Sequence, residues 1–405
     1  MRTSAGPVFS RSAQTSSPFV AFVTDSDSSQ LRHAAIEGAR CVVVKVGTRV
    51  LTDPQGKLDR GRIESLANGL CQIADTGRQT VMVSSGAVGA GMGKLNLDRR
   101  PTDLAKLQAV AAVGQADLIQ AYEKALAGCG RHAAQVLLTR NDLRRRDGYL
   151  HVRNALASIH ELGAVAIVNE NDSVAVAELM TTFGDNDRLA AQVAGLLDQA
   201  LLIILSDVDG LYDGPPDAPG SQRIDLVQSL DDEILGLAQD HRSTLSKGGM
   251  ASKLSAAKLA TAHGHSVIIG PGRVDGVLEQ ILRGDLIGTL LLPGQRNLRG
   301  RRRWISGSAE IEGQLIVDAG AARALRENGR SLLAIGIQEV RGKFNAGAVV
   351  TIKDQEGNEI ARGLCNYPSK EVDRIKGKIS DMITGILGHR PYDSVVHRDN
   401  MTLRI

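Results

Sequence analysis

Long apolar runs are missing from this chain of 405 residues. None approaches the roughly 18 residues that a bilayer span needs, so no membrane segment is expected. Patterned cysteine is missing too. The four cysteines, Cys41, Cys71, Cys129 and Cys365, are scattered, with no CxxC and no His close enough to complete a zinc pattern. Free thiols in a reducing cytosol are the expectation, and with them a cytoplasmic protein. Charge of one sign is not in excess: the formal net charge of +3 is too small to require a nucleic-acid or membrane partner. Two familiar nucleotide signatures are also absent. Gly93-Lys94 is followed by Leu95, and no Gly stands five residues before Gly93, which rules out a Walker A loop; GxGxxG does not occur.

The remaining composition is ordinary for a globular chain, with 42% hydrophobic and 23% charged residues and length enough for two or three domains. Residues 1–40 are rich in small polar residues without hydrophobic periodicity and read as a disordered extension rather than a targeting peptide. From Cys41 the text alternates. Short aliphatic strand candidates (Cys41–Val46, Thr80–Ser84, Ala164–Val168, Leu201–Leu205, Ser266–Gly270, Thr289–Leu292) are separated by helical patterns at Arg60–Asp75, Leu104–Ala127, Tyr149–Leu162, Asn186–Leu197 and Met250–His263. Such alternation predicts an α/β body over 41–293: an open three-layer αβα sandwich on a mainly parallel sheet. A basic linker follows at 294–308, with Arg296, Arg299, Arg301, Arg302 and Arg303. Short alternating stretches at Gln314–Val317, Ser331–Ile335, Ala348–Ile352 and Glu359–Gly363 predict a small β-rich domain over 309–390, then a tail at 391–405.

The chemistry-bearing residues stand where strand candidates end. Val168-Asn169-Glu170-Asn171-Asp172-Ser173 follows an apolar strand, and Gly184-Asp185-Asn186-Asp187 comes a short loop later. Asn and Asp there favour turns on structural grounds alone, but α/β sheets bind ligands at the carboxyl ends of their strands. Amides and carboxylates without bulk suit a small, doubly charged substrate such as an amino acid. Lys45 lies inside the apolar strand candidate Cys41–Val46, just before Gly47. A Lys whose stem packs and whose head snorkels explains the octapeptide as well as a phosphate contact does. Ser84-Ser85-Gly86-Ala87 runs from a strand into a Gly-rich turn that exposes amides and hydroxyls to an anion, although tight packing explains most such runs. Ser206-Asp207 leaves a strand with a hydroxyl and a carboxylate, as a nucleotide pocket or a plain turn would. Lys247-Gly248-Gly249-Met250-Ala251-Ser252-Lys253 opens a helix and puts Lys253 in its first turn, where the helix dipole disfavours a cation unless a phosphate is bound there.

Taken together and in this order, these motifs resemble those of the glutamate 5-kinases, members of the amino acid kinase superfamily. The resemblance runs from about Cys41 to Met401, and the NEND plus GDND pair is its most specific part. Departures are mild: Ser84 and Ser206 stand where Thr is common, and Lys247 where Thr is usual, which bears on nucleotide affinity. The resemblance implies the amino acid kinase fold with a C-terminal PUA domain, and transfer of the ATP γ-phosphoryl to the side-chain carboxylate of L-glutamate, the first step of proline synthesis. It implies catalytic roles for Lys45, Asp187 and Lys253. It implies amino-acid binding by Ser85, Asp172 and Asn186, with Asp172 on the α-ammonium. ATP would meet Lys45, Gly47, Ser206, Asp207 and the run Lys247, Gly248, Gly249, Met250, Ala251, Ser252, Lys253, with Gly86 adding a backbone amide. Mg²⁺ would bridge the β- and γ-phosphates without a dedicated protein ligand. Further implications are a homo-oligomer (dimer or tetramer), feedback inhibition by proline, and handover of product to γ-glutamyl phosphate reductase.

Two rival readings remain. A related kinase could act on N-acetylglutamate, aspartate or carbamate, although an acidic Asp172 favours a free α-ammonium. An RNA-binding protein with a degenerate kinase body is the other. From Glu310 to Asp381 there are eleven Lys/Arg, eleven Asp/Glu and two aromatics, Phe344 and Tyr367. RNA binders usually show a basic excess and stacking rings, so nucleic acid is not expected as a partner.

Overall fold

The computed structural model describes residues 25–53, 55–174, 186–237, 249–294, 300–307 and 309–404. The body strands are β1 (Cys41–Val46), β2 (Gln79–Ser84), β3 (Ala133–Leu138), β4 (Val165–Glu170), β5 (Ala200–Ser206), a small β6–β7 ladder (Leu211–Tyr212, Arg223–Ile224), β8 (Leu226–Val227), β9 (Ser266–Pro271) and β10 (Thr289–Leu291). Eight of them form one sheet in the order β3-β4-β2-β1-β5-β9-β10-β8, parallel throughout except where β10 runs against β9.

Strand residues alternate between faces, and the sheet accordingly feeds two cores. Val43, Val81, Val83, Val168, Leu202 and Ile204 pack under the helices Arg146–Glu161, Asn186–Leu196 and Met250–Ala262. Val42, Val44, Val46, Met82, Leu201 and Ile203 pack under Arg60–Asp75 and Leu104–Ala127. Each aliphatic side chain so buried contributes about 1.5–3 kcal/mol. Asp59 and Asp103 start the two latter helices by accepting the Arg62 and Lys106 amides, satisfying donors that a helix leaves orphaned.

Strand order reverses about β1. From β1 the sheet grows one way through β2, β4 and β3 and the other way through β5 and β9. A parallel α/β sheet opens its ligand crevice at such a switch point, outside the carboxyl ends of the strands. Lys45 and Ser206 lie at those ends.

Several expectations differ from what is observed. Asp25–Glu37, placed in a disordered extension, forms a helix. It lacks a strong apolar stripe but buries Ile36 in the core, and Arg32, which is 1% exposed, donates to the carbonyls of Ile287, Asp225 and Gly288. Strand β3 was not anticipated, because as an edge strand it is only half buried and its sequence is weakly apolar. Part of the linker, Gly300–Gly307, is helical and inserts Trp304 and Ile305 into the body core.

The carboxyl-terminal unit has five strands, β11 (Ile311–Val317), β12 (Ile337–Arg341), β13 (Val349–Lys353), β14 (Glu359–Cys365) and β15 (Val396–Leu403), in the order β12-β11-β13-β14-β15. The stretch Ser331–Ile335 is not a strand: Leu332 and Ala334 are buried from an irregular segment ahead of β12. Residues Val396–Leu403, set apart as a tail, close this sheet against β14. Arg362 of β14 donates to the Ser306 carbonyl, and Arg144 lies 3.5 Å from Glu310, so both side chains tie the two units together.

Candidate active site

Lys45 is the fifth residue of β1 and 7% exposed. Its ammonium lies 2.5 Å from Oδ1 of Asp187. Asp187 is the second residue of the Asn186–Leu196 helix, where the positive end of the helix dipole favours a carboxylate. Its other oxygen, Oδ2, stands 4.0 Å from the Lys253 ammonium and accepts a hydrogen bond from the Ser252 hydroxyl at 3.1 Å. Burial lowers the Lys253 pKa, and Lys45 and Arg49 push the same way against the opposing pull of Asp187 and Asp207. Two ammonium groups thus share one carboxylate in a nearly dry site. The surplus positive charge is what a polyphosphate would neutralise.

Beside this triad the Asn186 side chain, 4% exposed, donates through Nδ2 to Ser85 Oγ at 2.9 Å, Ser84 O at 3.2 Å and Asn169 Oδ1 at 3.0 Å. Asn169 Nδ2 in turn donates to Gln115 Oε1 at 2.8 Å. Ser84 Oγ is 3.1 Å from the hydroxyl of Tyr122, whose phenol burial pushes up in pKa. Gln115 and Tyr122 are seven residues apart on the Leu104–Ala127 helix and so share a face. Asp172 is raised to about 6 by burial, with the Arg100 guanidinium opposing.

On the β5 side, Ser206 Oγ donates to Asp207 Oδ1 at 2.9 Å, and Arg49 Nη1 lies 2.7 Å from Asp207 Oδ2. Burial pushes the Asp207 carboxyl up, but Arg49 and Ser206 outweigh it and hold the group below its ordinary value. Gly47 caps the short Thr48–Leu51 helix, and a Cβ there would sit 3.5 Å from the Lys45 ammonium. Gly86 has φ +106°, a left-handed conformation that other residues rarely adopt, and it opens the Ala87–Lys94 helix. The glycines beyond it serve packing: a Cβ on Gly91 would fall 1.9 Å from Val110 O.

The predicted residues Lys45, Asp187 and Lys253 therefore meet, as do Ser85 and Asn186. Ser206 pairs with Asp207, and Gly249 caps the helix whose first turn holds Met250, Ala251, Ser252 and Lys253. Lys247, Gly248, Gly184 and Asp185 lie outside the described residues. Arg49, Arg100, Gln115 and Tyr122 were missed, for each sits in a stretch that reads as an ordinary helix or loop. A cavity of about 560 Å³ lined by Arg40, Arg78, Gln79 and His160 lies at the opposite, amino-terminal ends of β1 and β2 and is separate from this site.

Residues 40–271 match the amino acid kinase family and residues 313–387 match the PUA domain. The chain belongs to the amino acid kinase family. Its relatives within that family are more specific. The glutamate 5-kinase of Rhodopirellula baltica is 61% identical over 382 residues, covering 94% of this chain and 98% of that protein. The glutamate 5-kinase of Moorella thermoacetica is 48% identical over 368 residues, covering 91% and 97%.

Proposed function

We propose that this chain transfers the γ-phosphoryl group of ATP to the side-chain carboxylate of L-glutamate, forming γ-glutamyl phosphate, the opening step of proline synthesis. The observation that carries the reading is the Lys45–Asp187–Lys253 arrangement. A glutamate side chain with a pKa near 4.3 is already ionised at neutral pH and needs no general base. The obstacle is repulsion between that carboxylate and the triphosphate. Lys45 and Lys253, braced by Asp187, reduce it and stabilise charge on the equatorial oxygens. Ser85, Asn186 and Asp172 hold the amino acid, with Asp172 on its α-ammonium. Gly47 and Gly86 amides, Ser206, Asp207 and the turn before Lys253 hold the nucleotide.

Mg²⁺ supplies further charge neutralisation when it accompanies ATP. Among the described residues no three His, Cys, Asp or Glu side chains cluster as a cation cage. We propose that this cation is carried on the phosphates and stays largely hydrated. Among the described residues no helix is long and apolar enough to cross a membrane. We further propose that the enzyme is cytoplasmic and a homo-oligomer, dimer or tetramer. Proline would act as a feedback inhibitor overlapping the amino-acid subsite, and γ-glutamyl phosphate reductase would take the unstable product.

A coupled assay of ADP release tests the reaction. Glutamate-dependent turnover should exceed that with N-acetylglutamate, aspartate or carbamate by at least about a hundredfold, as a site built around polar partners discriminates. Faster turnover with any of those three would replace glutamate as the substrate.

A further inference from the structure

Three carboxamides form a chain under the amino-acid subsite. Gln115 Oε1 accepts from Asn169 Nδ2, and Asn169 Oδ1 accepts from Asn186 Nδ2. The two ends of a carboxamide have nearly the same shape, so its orientation is set by its partners. Two backbone groups set it here. The Glu170 amide can only donate, and it points at Asn169 Oδ1 at 2.8 Å. The Ser84 carbonyl can only accept, and it faces Asn186 Nδ2 at 3.2 Å. Reversing any one carboxamide would set oxygen against oxygen or N–H against N–H.

The chain ends on two atoms that make no hydrogen bond among the described residues, Asn186 Oδ1 and Gln115 Nε2, in side chains of residues only 4% and 9% exposed. A buried acceptor without a donor is destabilising, a cost that a ligand bearing N–H would remove. The backbone beside Gln115 is close-packed. Gly114 packs so tightly against the Gly86 turn that a Cβ would fall 1.8 Å from Ala87 O.

We infer that Gln115 is a positioning residue: through Asn169 it fixes the carbonyl oxygen as the end of the Asn186 carboxamide left for a ligand, so that this subsite accepts an N–H donor and repels a carboxylate. The inference rests on the kinase reading above and deepens it. The ligand group at Asn186 is the α-ammonium of a free amino acid, which has three N–H bonds to divide between Asn186 and Asp172. The α-carboxylate is turned away from Asn186. Discrimination against a dicarboxylate of equal length that lacks the amino group is built into helix Leu104–Ala127, one residue removed from any ligand contact.

The test compares wild type, Gln115→Met and Gln115→Glu with L-glutamate, glutarate and ATP. Met fills the same space without an acceptor; Glu keeps the acceptor toward Asn169. Gln115→Met should raise the glutamate KM about tenfold and narrow the preference for glutamate over glutarate, with ATP KM and kcat within about twofold. Gln115→Glu should keep the glutamate KM within about threefold of wild type. An unchanged glutamate KM in Gln115→Met would overturn the inference, as would parallel rises in both KM values with a lowered Tm. If Gln115→Met does not fold, Gln115→Glu decides alone, a tenfold rise in its glutamate KM being the contrary result. Wild type without glutamate-dependent turnover would remove the kinase reading itself, a failure distinct from either.

Discussion

Lys45 and Asp187 meet at 2.5 Å although they are 142 positions apart, one inside a central strand and the other in the first turn of a helix covering the sheet. The pairing joins the carboxyl end of β1 to the face on which Lys253 also emerges, and it makes Asp187 the brace for both cations. Lys45→Ala or Lys253→Ala should therefore lower kcat by at least about a hundredfold, the usual cost of losing an electrostatic stabiliser. Steady-state kinetics at saturating ATP and glutamate measures this. Near-wild-type turnover in both variants would show that the phosphoryl group passes elsewhere.

Removing the brace has a different signature. In Asp187→Asn two buried ammonium groups face each other without a counter-charge, and breaking a buried ion pair from one side costs about 3–5 kcal/mol. Urea unfolding should show a loss of that order. ATP should restore part of it, because bound phosphates supply the missing negative charge and ligand binding stabilises the folded state. A variant equally unstable with and without ATP would argue that Asp187 serves the fold rather than a phosphate site.

How much of this was legible in the sequence depends on the kind of residue. Lys45, Asp187 and Lys253 stood out because each strains a local expectation (a charge in an apolar strand, clustered carboxylates, a cation at a helix start), but their joint role came only from the family resemblance. The body sheet showed because its central strands are buried on both faces and so are uniformly aliphatic. Gln115, Tyr122, Arg49 and Arg100 break no local rule, and only tertiary packing brings them to the site. The same holds for helix Asp25–Glu37. Besides Ile36 in the core, it is attached by one guanidinium reaching three carbonyls about 190 or more positions away, which periodicity does not register.

The Asp172 carboxyl predicts a pH dependence. Burial penalises its charged form and raises its pKa to about 6 in the free protein. Below that pH the group is neutral and cannot pair with an α-ammonium, so the glutamate KM should rise as pH falls through 6. The kcat should hold to lower pH, since the substrate carboxylate titrates near 4.3. Arg100→Ala removes the opposing cation and should move the KM inflection to higher pH. Asp172→Asn should weaken glutamate binding and abolish the inflection. A KM flat between pH 5 and 8 in wild type would remove Asp172 from the ammonium subsite.

Gly114 offers a purely steric test. Its helix presses against the Ala87–Lys94 helix with no room for a side chain, a Cβ lying 1.8 Å from Ala87 O and 2.2 Å from the Gly91 nitrogen. Both obstacles are backbone atoms, so the helices themselves must separate. Overpacking of this kind costs about 1–3 kcal/mol, and here the shift also displaces Gln115 and the Gly86 turn. Gly114→Ala should lower the Tm and raise the glutamate KM together. A variant with wild-type Tm would mean that the helices yield without cost.

Arg49 and Asp207 separate nucleotide affinity from stability. Their contact is short at 2.7 Å, but the side chains are 59% and 39% exposed, so solvent screens the pair and its loss should cost less than about 1 kcal/mol of stability. Its electrostatic role is larger. Arg49 offsets the Asp207 carboxylate, which would otherwise repel an incoming triphosphate at the end of β5. Arg49→Ala should therefore raise the ATP KM several-fold while leaving the glutamate KM and the Tm close to wild type. Asp207→Asn in the Arg49→Ala background removes the exposed charge and should recover part of the ATP affinity. A double variant no better than Arg49→Ala alone would mean that Asp207 holds the nucleotide through its charge and not merely through a hydrogen bond that Asn can also make.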